Sequence, residues 1–420
     1  MSPSRCRARR THAGGRRARP AVGTAVAAAV GLAATALAAS PAHPQGTGEP
    51  RPPAAHTIEL PGPGDSRRTL PRTGTDAFSL IGVTWKDHTQ PFDGTAQIRT
   101  RSTATGEWSG WRDLDFDTAA PEGPEGLAPD VRGASDPRWV GPSDAVEARV
   151  TAAGGEATLP DGLRLDLVDP GTMPAAPTAP TAPGVPTGSA DGTDPAPKAP
   201  AVVARSGWGA DESLVKHAPQ YIDKVRAVFV HHTAGSNDYT CAGSAAVIRA
   251  IFVYHVQQLG WNDIGYNFVV DKCGTVFEGR AGGTGKRVRG AHTYGFNGVS
   301  SGVSLLGDYE NGGIPTAAAQ EAIAGLAAWK LGLDGVDPQA QVTLTAGGDT
   351  GVYDTGERGT FHTVSGHRDG YATLCPGQAL YDALPGIRAA AGASPYAAKS
   401  ALGTTEAQAT ALRARPGMVR

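Results

Sequence analysis

At 420 residues the chain is longer than one ordinary hydrophobic core and has room for two or three domains. Lys+Arg 38 against Asp+Glu 40 leaves a net charge of −2, which supplies no field to gather phosphate backbones and excludes nucleic acid as an expected partner. Gly 57 and Pro 33, with aromatics at 6%, assign a good part of the chain to turns, linkers and tails.

In chain order, the first segment carries Arg5, Arg7, Arg9, Arg10, Arg16, Arg17 and Arg19 with no acid, and an Ala/Val/Gly/Leu run follows from Ala21 to Ala39. This is the layout of a signal peptide over residues 1–42, cut near Ala39 or His43. Alanine contributes little to insertion and Pro41 ends the run, so cleavage is favoured over a retained anchor. The export route stays open. No second apolar stretch approaches spanning length, so no stable membrane insertion is expected after cleavage. Cys6 leaves with the leader, and Cys241, Cys273 and Cys375 remain, an odd number for an exported chain.

Short alternating runs then follow: Phe78 to Trp85, Ala96 to Arg101, Trp108 to Leu114, Ala145 to Val150 and Leu163 to Val168. Their period of two, with Gly/Asp/Pro turns between, predicts a small all-β sandwich-like domain over 56–170. Trp85, Trp108, Trp111 and Trp139 are expected to fill its core rather than to stack on sugars. Residues 171–200 are Pro, Ala, Thr and Gly with almost no large apolar side chain, and read as a linker.

From Ala201 the composition is globular again. Arg226 to His232 reads as a buried strand. A helix capped by Ser244 runs to about Leu259, closed by Gly260. Tyr266 to Val270 and Gly274 to Glu278 form a hairpin, Gly302 to Leu306 a strand and Thr316 to Leu333 a helix. A last helical region from Gly377 to Ala391 is expected to break at Pro385. The prediction is an α/β domain over 201–391, a mixed central sheet with flanking helices, followed by a disordered tail over 392–420.

The chemistry concentrates in this second domain. His367 and Cys375 lie on a loop between a strand and a helix, where they can converge on one metal. With His231 or His232 from a distant strand the set has three donors suited to Zn2+, with the fourth position left for water. Adjacent strand residues face opposite ways, so only one of the two histidines can be a ligand. Pairing of Cys241 with Cys273 would tie the helix start to the hairpin and explain why one cysteine is left over.

Five ordered motifs, Val228 to Gly235, Leu259 to Phe268, Gly274 to Arg280, Gly290 to Asn297 and Gly366 to Gly377, together resemble the type 2 N-acetylmuramoyl-L-alanine amidase and peptidoglycan recognition protein family, over about Ser206 to Ala391. The resemblance implies zinc ligands His231, His367 and Cys375, a catalytic Tyr266, and a substrate-contacting His292 and Arg280. Thr373 matches a position that is lysine in hydrolytic phage relatives and threonine in recognition proteins, and is implied as a second catalytic residue whose hydroxyl bonds a bound water or substrate, though its intrinsic pKa makes it a poor general acid. The residues after Arg280 depart from the Gly-Trp found there in many recognition proteins, which leaves the stem-peptide preference open. The implied function is hydrolysis of the amide between N-acetylmuramic acid and L-alanine in peptidoglycan, by a protein that is secreted or associated with the cell wall. The alternatives are a non-catalytic recognition protein and a zinc peptidase acting on stem peptides. Since every motif lies after the linker, residues 201–391 are expected to fold and act without residues 43–200.

Overall fold

The computed structural model describes residues 50–60, 66–155, 157–173 and 199–398. The predicted leader, residues 174–198 of the predicted linker and residues 399–420 of the predicted tail lie outside them. Among the described residues no helix is long and apolar enough to cross a membrane.

The first domain is an all-β, sandwich-like body built on one seven-stranded antiparallel sheet. Its strands are β1 (Ala54–Glu59), β2 (Arg67–Trp85), β3 (Gly94–Ser102), β4 (Arg112–Leu114), β5 (Gly133–Ala134), β6 (Arg138–Ala152) and β7 (Arg164–Asp169), in the order β1-β7-β2-β6-β3-β4 with β5 added to β2. Register shifts along β2 and β6, between Leu70 and Thr73 and again around Phe78, bend the two long strands. The concave side gathers Phe78, Ile81, Val83, Ile98, Val146, Leu165 and Leu167 into a core. Trp85 and Trp139 are buried as expected. Trp108 and Trp111 are not core: they lie half-buried on the surface, where Arg72, Arg99 and Arg149 stack on their rings.

The second domain is built on a five-stranded sheet from β8 (Ala227–His232), β9 (Phe268–Val270), β10 (Val276–Glu278), β11 (Ser300–Leu305) and β14 (Val364–Gly366), in the order β10-β9-β11-β8-β14. Only the β9–β10 hairpin is antiparallel. A separate hairpin, β12 (Gln341–Thr345) with β13 (Arg358–His362), was not foreseen. Its strands are short and mixed in burial, so they carry no clean period.

A short helix α1 (Arg205–Trp208) opens the domain, and α2 (Ser244–Val253) covers one face of the sheet. The other face is covered by α3 (Ala317–Gly332) and α4 (Gln378–Ala393), whose Ile323, Leu326, Leu380 and Leu384 pack on Val228, Val230, Val303 and Leu305. Three helix expectations need correction. Ser244 does not cap α2; it is its first residue and donates its hydroxyl to Asp271. The expected end of that helix is a π turn, Tyr254–Gln258. Pro385 does not break α4: it lies inside the helix on its exposed side. Residues 392–398 are also not tail: α4 reaches Ala393, and Tyr396 packs on the core.

The two domains share a core. Leu80, Val131, Ala134, Trp139 and Val168 of the first domain join Ile248, Ile251, Phe252, Tyr254 and Leu259 of the second in one buried cluster. Gly82 permits the approach, since a Cβ there would stand 2.1 Å from the Tyr254 hydroxyl, and that hydroxyl donates to the Ser135 carbonyl at 3.1 Å.

Candidate metal centre

Parallel pairing of β8 with β14 decides the site. Gly366 is in register with Val230, so His367, the residue after β14, emerges beside His231 at the same end of the sheet. Their rings lie 4.4 Å apart, centroid to centroid. The loop after His367 closes with a hydrogen bond from the Arg368 amide to the Cys375 carbonyl, 2.9 Å, which returns Cys375 to the two histidines. Donor atoms of His231, His367 and Cys375 all lie within 4.8 Å of one another, and all three side chains are buried.

Cys375 Sγ is 3.7 Å from His231 Nδ1. Two ligands of a tetrahedral zinc, at about 2.3 Å for sulfur and 2.0–2.1 Å for nitrogen, would stand about 3.6 Å apart. The donor set and its spacing therefore fit zinc. Burial pushes His231 well down, and His367 down to about 3, so both imidazoles are neutral as a metal requires. His232 faces the other way: its Nδ1 accepts from the Tyr309 amide at 3.2 Å, and its own amide donates to Cys375 Sγ at 3.4 Å.

Tyr266 stands beside this group, its ring 5.4 Å from that of His231, and burial raises its hydroxyl well above the usual tyrosine range. His292 is no exposed loop side chain. It lies against Gly302, where a Cβ would come 2.3 Å from its ring, and its Nδ1 pairs with His231 Nε2 at 3.2 Å, a contact that orients the candidate ligand. Thr373 accepts from the Cys375 amide at 2.8 Å, which shapes the ligand loop. Arg280 does not reach the cavity. It lies buried in a neighbouring cleft and makes a two-pronged ion pair with Glu125 of the first domain, at 2.7 and 2.9 Å.

A cavity of about 40 Å³ over the three donors is walled in part by the first domain, through Asp117, Thr118, Pro121 and Asp136. Asp136 accepts from the Asp117 amide at 3.0 Å and the Thr118 hydroxyl at 2.7 Å; Asp117 accepts from Thr373 at 2.5 Å. Burial, then the neighbouring Asp117 carboxylate, pushes Asp136 up to about 8. Residues before the linker thus line the site as well, which weighs against the expectation that residues 201–391 act without residues 43–200. These carboxylates escaped sequence reading because they lie in an irregular loop with no motif around them. Cys241 and Cys273 form a disulfide with Cα atoms 6.2 Å apart, and Cys375 is free.

A family described as N-acetylmuramoyl-L-alanine amidase matches residues 221–378, and one described as Rv3811 N-terminal galactose-binding domain-like matches residues 32–186. Peptidoglycan recognition protein 1 of Bos taurus is 34% identical over 182 residues, 43% of this chain and 80% of that protein. Peptidoglycan-recognition protein SC2 of Drosophila melanogaster is 28% identical over 183 residues, 44% of this chain and 84% of that protein. Among solved structures, human PGRP-IBETAC in complex with glycosamyl muramyl pentapeptide is 29% identical, covers 44% of this chain and 93% of that one, and has a TM-score of 0.34. The chain belongs to the family of N-acetylmuramoyl-L-alanine amidases and peptidoglycan recognition proteins.

Proposed function

We propose that the chain is an exported, zinc-dependent N-acetylmuramoyl-L-alanine amidase acting on peptidoglycan. The observation that carries this reading is the convergence of His231, His367 and Cys375 within 4.8 Å at the end of β8 and β14, with Cys375 free and buried. A recognition function alone gives no reason for three metal-type donors at this spacing. The disulfide between Cys241 and Cys273 supports an oxidising compartment, in keeping with the arginine-rich leader.

Held by these three side chains, zinc would supply Lewis acidity for the amide carbonyl and a water acidified toward neutral pH. The chain's own groups do the rest. Tyr266 keeps its proton, so its hydroxyl can donate to the oxygen that becomes negative as the amide is attacked. His292 holds His231 in place through its Nδ1. Asp136, in the cavity wall, provides the carboxyl group that the motifs of the second domain lack, and its burial favours the protonated form that can serve the leaving alanine nitrogen.

The test is mass spectrometry of digested peptidoglycan together with elemental analysis for zinc. Intact stem peptides freed from glycan are expected, with one zinc per chain. Stems cut internally would assign a peptidase, and binding without release would assign a recognition protein.

A further inference from the structure

The connection from β4 to β5, residues 115–132, is built as a strap laid along the second domain. Each of three carboxylates in it is seated on a donor of that domain. Asp117 takes the hydroxyl of Thr373. Glu122 takes the Gly295 amide at 2.5 Å and Asn297 Nδ2 at 2.6 Å, with Arg289 at 3.5 Å. Glu125 takes the Arg280 guanidinium and, at 3.1 Å, the Asn262 amide. The backbone between them, Thr118 to Pro121, walls the space over the metal-type donors.

That space is too small for a substrate. Its 40 Å³ holds a few waters, whereas a site for a ligand of the size of a sugar with its attached peptide needs several hundred Å³. Two larger clefts have strap residues in their walls. One, of about 670 Å³, includes Trp85, His88, Tyr294 and Asp349 and shares Thr118 to Pro121 with the cavity. The other, of about 420 Å³, includes Trp111, Arg112, Arg138 and Glu310 and shares Asp117. Residues of the strap thus border all three spaces.

We propose that the strap Asp117–Glu125 is a built-in competitor for the peptide stem: its carboxylates hold it to donors of the second domain, Asn297 of the cavity wall among them, and a stem bearing its own carboxylates displaces it as the glycan–peptide junction enters. The identity of the displacing ligand rests on the amidase reading; the occlusion does not. A closed groove held by charge-assisted hydrogen bonds keeps the site shut until wall material is present, and the apparent affinity for the stem is lowered by the fraction of molecules in the closed state.

The test uses the full chain and a soluble N-acetylmuramoyl tripeptide, read by hydrogen exchange. The Asp117 amide, which donates to Asp136, reports the strap directly. Its exchange is expected to speed up at least tenfold when the tripeptide is added. In the doubly substituted Glu122→Gln, Glu125→Gln chain, half-maximal response is expected at a tripeptide concentration at least tenfold lower. Slower or unchanged exchange of the Asp117 amide with tripeptide bound overturns the proposal, because a fixed wall is covered by a ligand rather than expelled by it. That wild-type measurement stands even where the substituted chain does not fold. Release of stem peptides from peptidoglycan with no change in the strap overturns this proposal alone; failure of the chain either to bind the tripeptide or to release stems overturns the amidase reading and this proposal with it.

Discussion

Removing the first domain tests how far the second is an independent unit. The perturbation is a chain that begins at residue 199. It strips Leu80, Val131, Trp139 and Val168 from the shared cluster, all buried, and returns the outer face of α2 and its π turn to water. Burial of a large apolar side chain contributes roughly 1.5–3 kcal/mol, so four such losses come to about 6–12 kcal/mol as an upper estimate. A domain's whole stability is about 5–15 kcal/mol. The broken Glu125–Arg280 pair is left out, because the guanidinium regains water when the strap is gone. The fragment is therefore expected to be poorly soluble or partly unfolded, to bind a hydrophobic dye, and to hold zinc weakly. Denaturant titration followed by helical circular dichroism is the assay, because among the described residues all four α-helices belong to the second domain and the signal reports that domain in both proteins. A monomeric fragment whose unfolding free energy lies within about 2 kcal/mol of the intact chain would refute the shared-core argument.

Three further outcomes are expected. Cys375→Ser should lose both zinc and hydrolysis, since a neutral hydroxyl is a poor zinc ligand, whereas Tyr266→Phe should keep zinc and lose about 10²–10³-fold in turnover; full zinc in the first or full turnover in the second would return that residue to a packing role. Gly302→Ala forces the His292 ring off His231, and about a tenfold loss of zinc affinity should follow in a competition titration; unchanged affinity would show that His292 does not orient the ligand. The Asp136 carboxyl is raised when folded, so between about pH 4 and 8 the native chain keeps a proton that the unfolded chain has released, and stability falls as pH rises. Asp136→Asn removes that dependence. Relative to the wild type it should gain up to about 4 kcal/mol between pH 5 and pH 8, and parallel pH profiles of the two unfolding midpoints would count against the raised carboxyl.

What the amino-acid order determined was local. The apolar run ending in His231 and His232 reads as a buried strand because it has no polar position facing water, and β8 is that strand. Thr316 before an apolar run announces α3, and its hydroxyl does cap it, accepting from the Ala319 amide. His367 and Cys375 were legible because a metal-type pair on one short loop is a chemical signal that needs no partner in view, and the family motifs around them selected His231. Elements without a period were not legible: β1, β5 and the β12–β13 hairpin are too short or too mixed in burial to stand out. Direction was not legible either, since nothing in its own motif turns His292 onto His231 rather than toward solvent; the missing side chain of Gly302, on another strand, makes that room. Least legible of all was the reach of the first domain. Glu125 and Arg280 are 155 residues apart, and an acidic residue in a Gly/Pro/Ala-rich loop looks like any solvated charge until the fold sets a buried guanidinium against it. A metal site drawn from strand ends can be read from residue types, but which loop closes over it depends on how two sheets pack, and that is set by shape and burial summed over many distant positions.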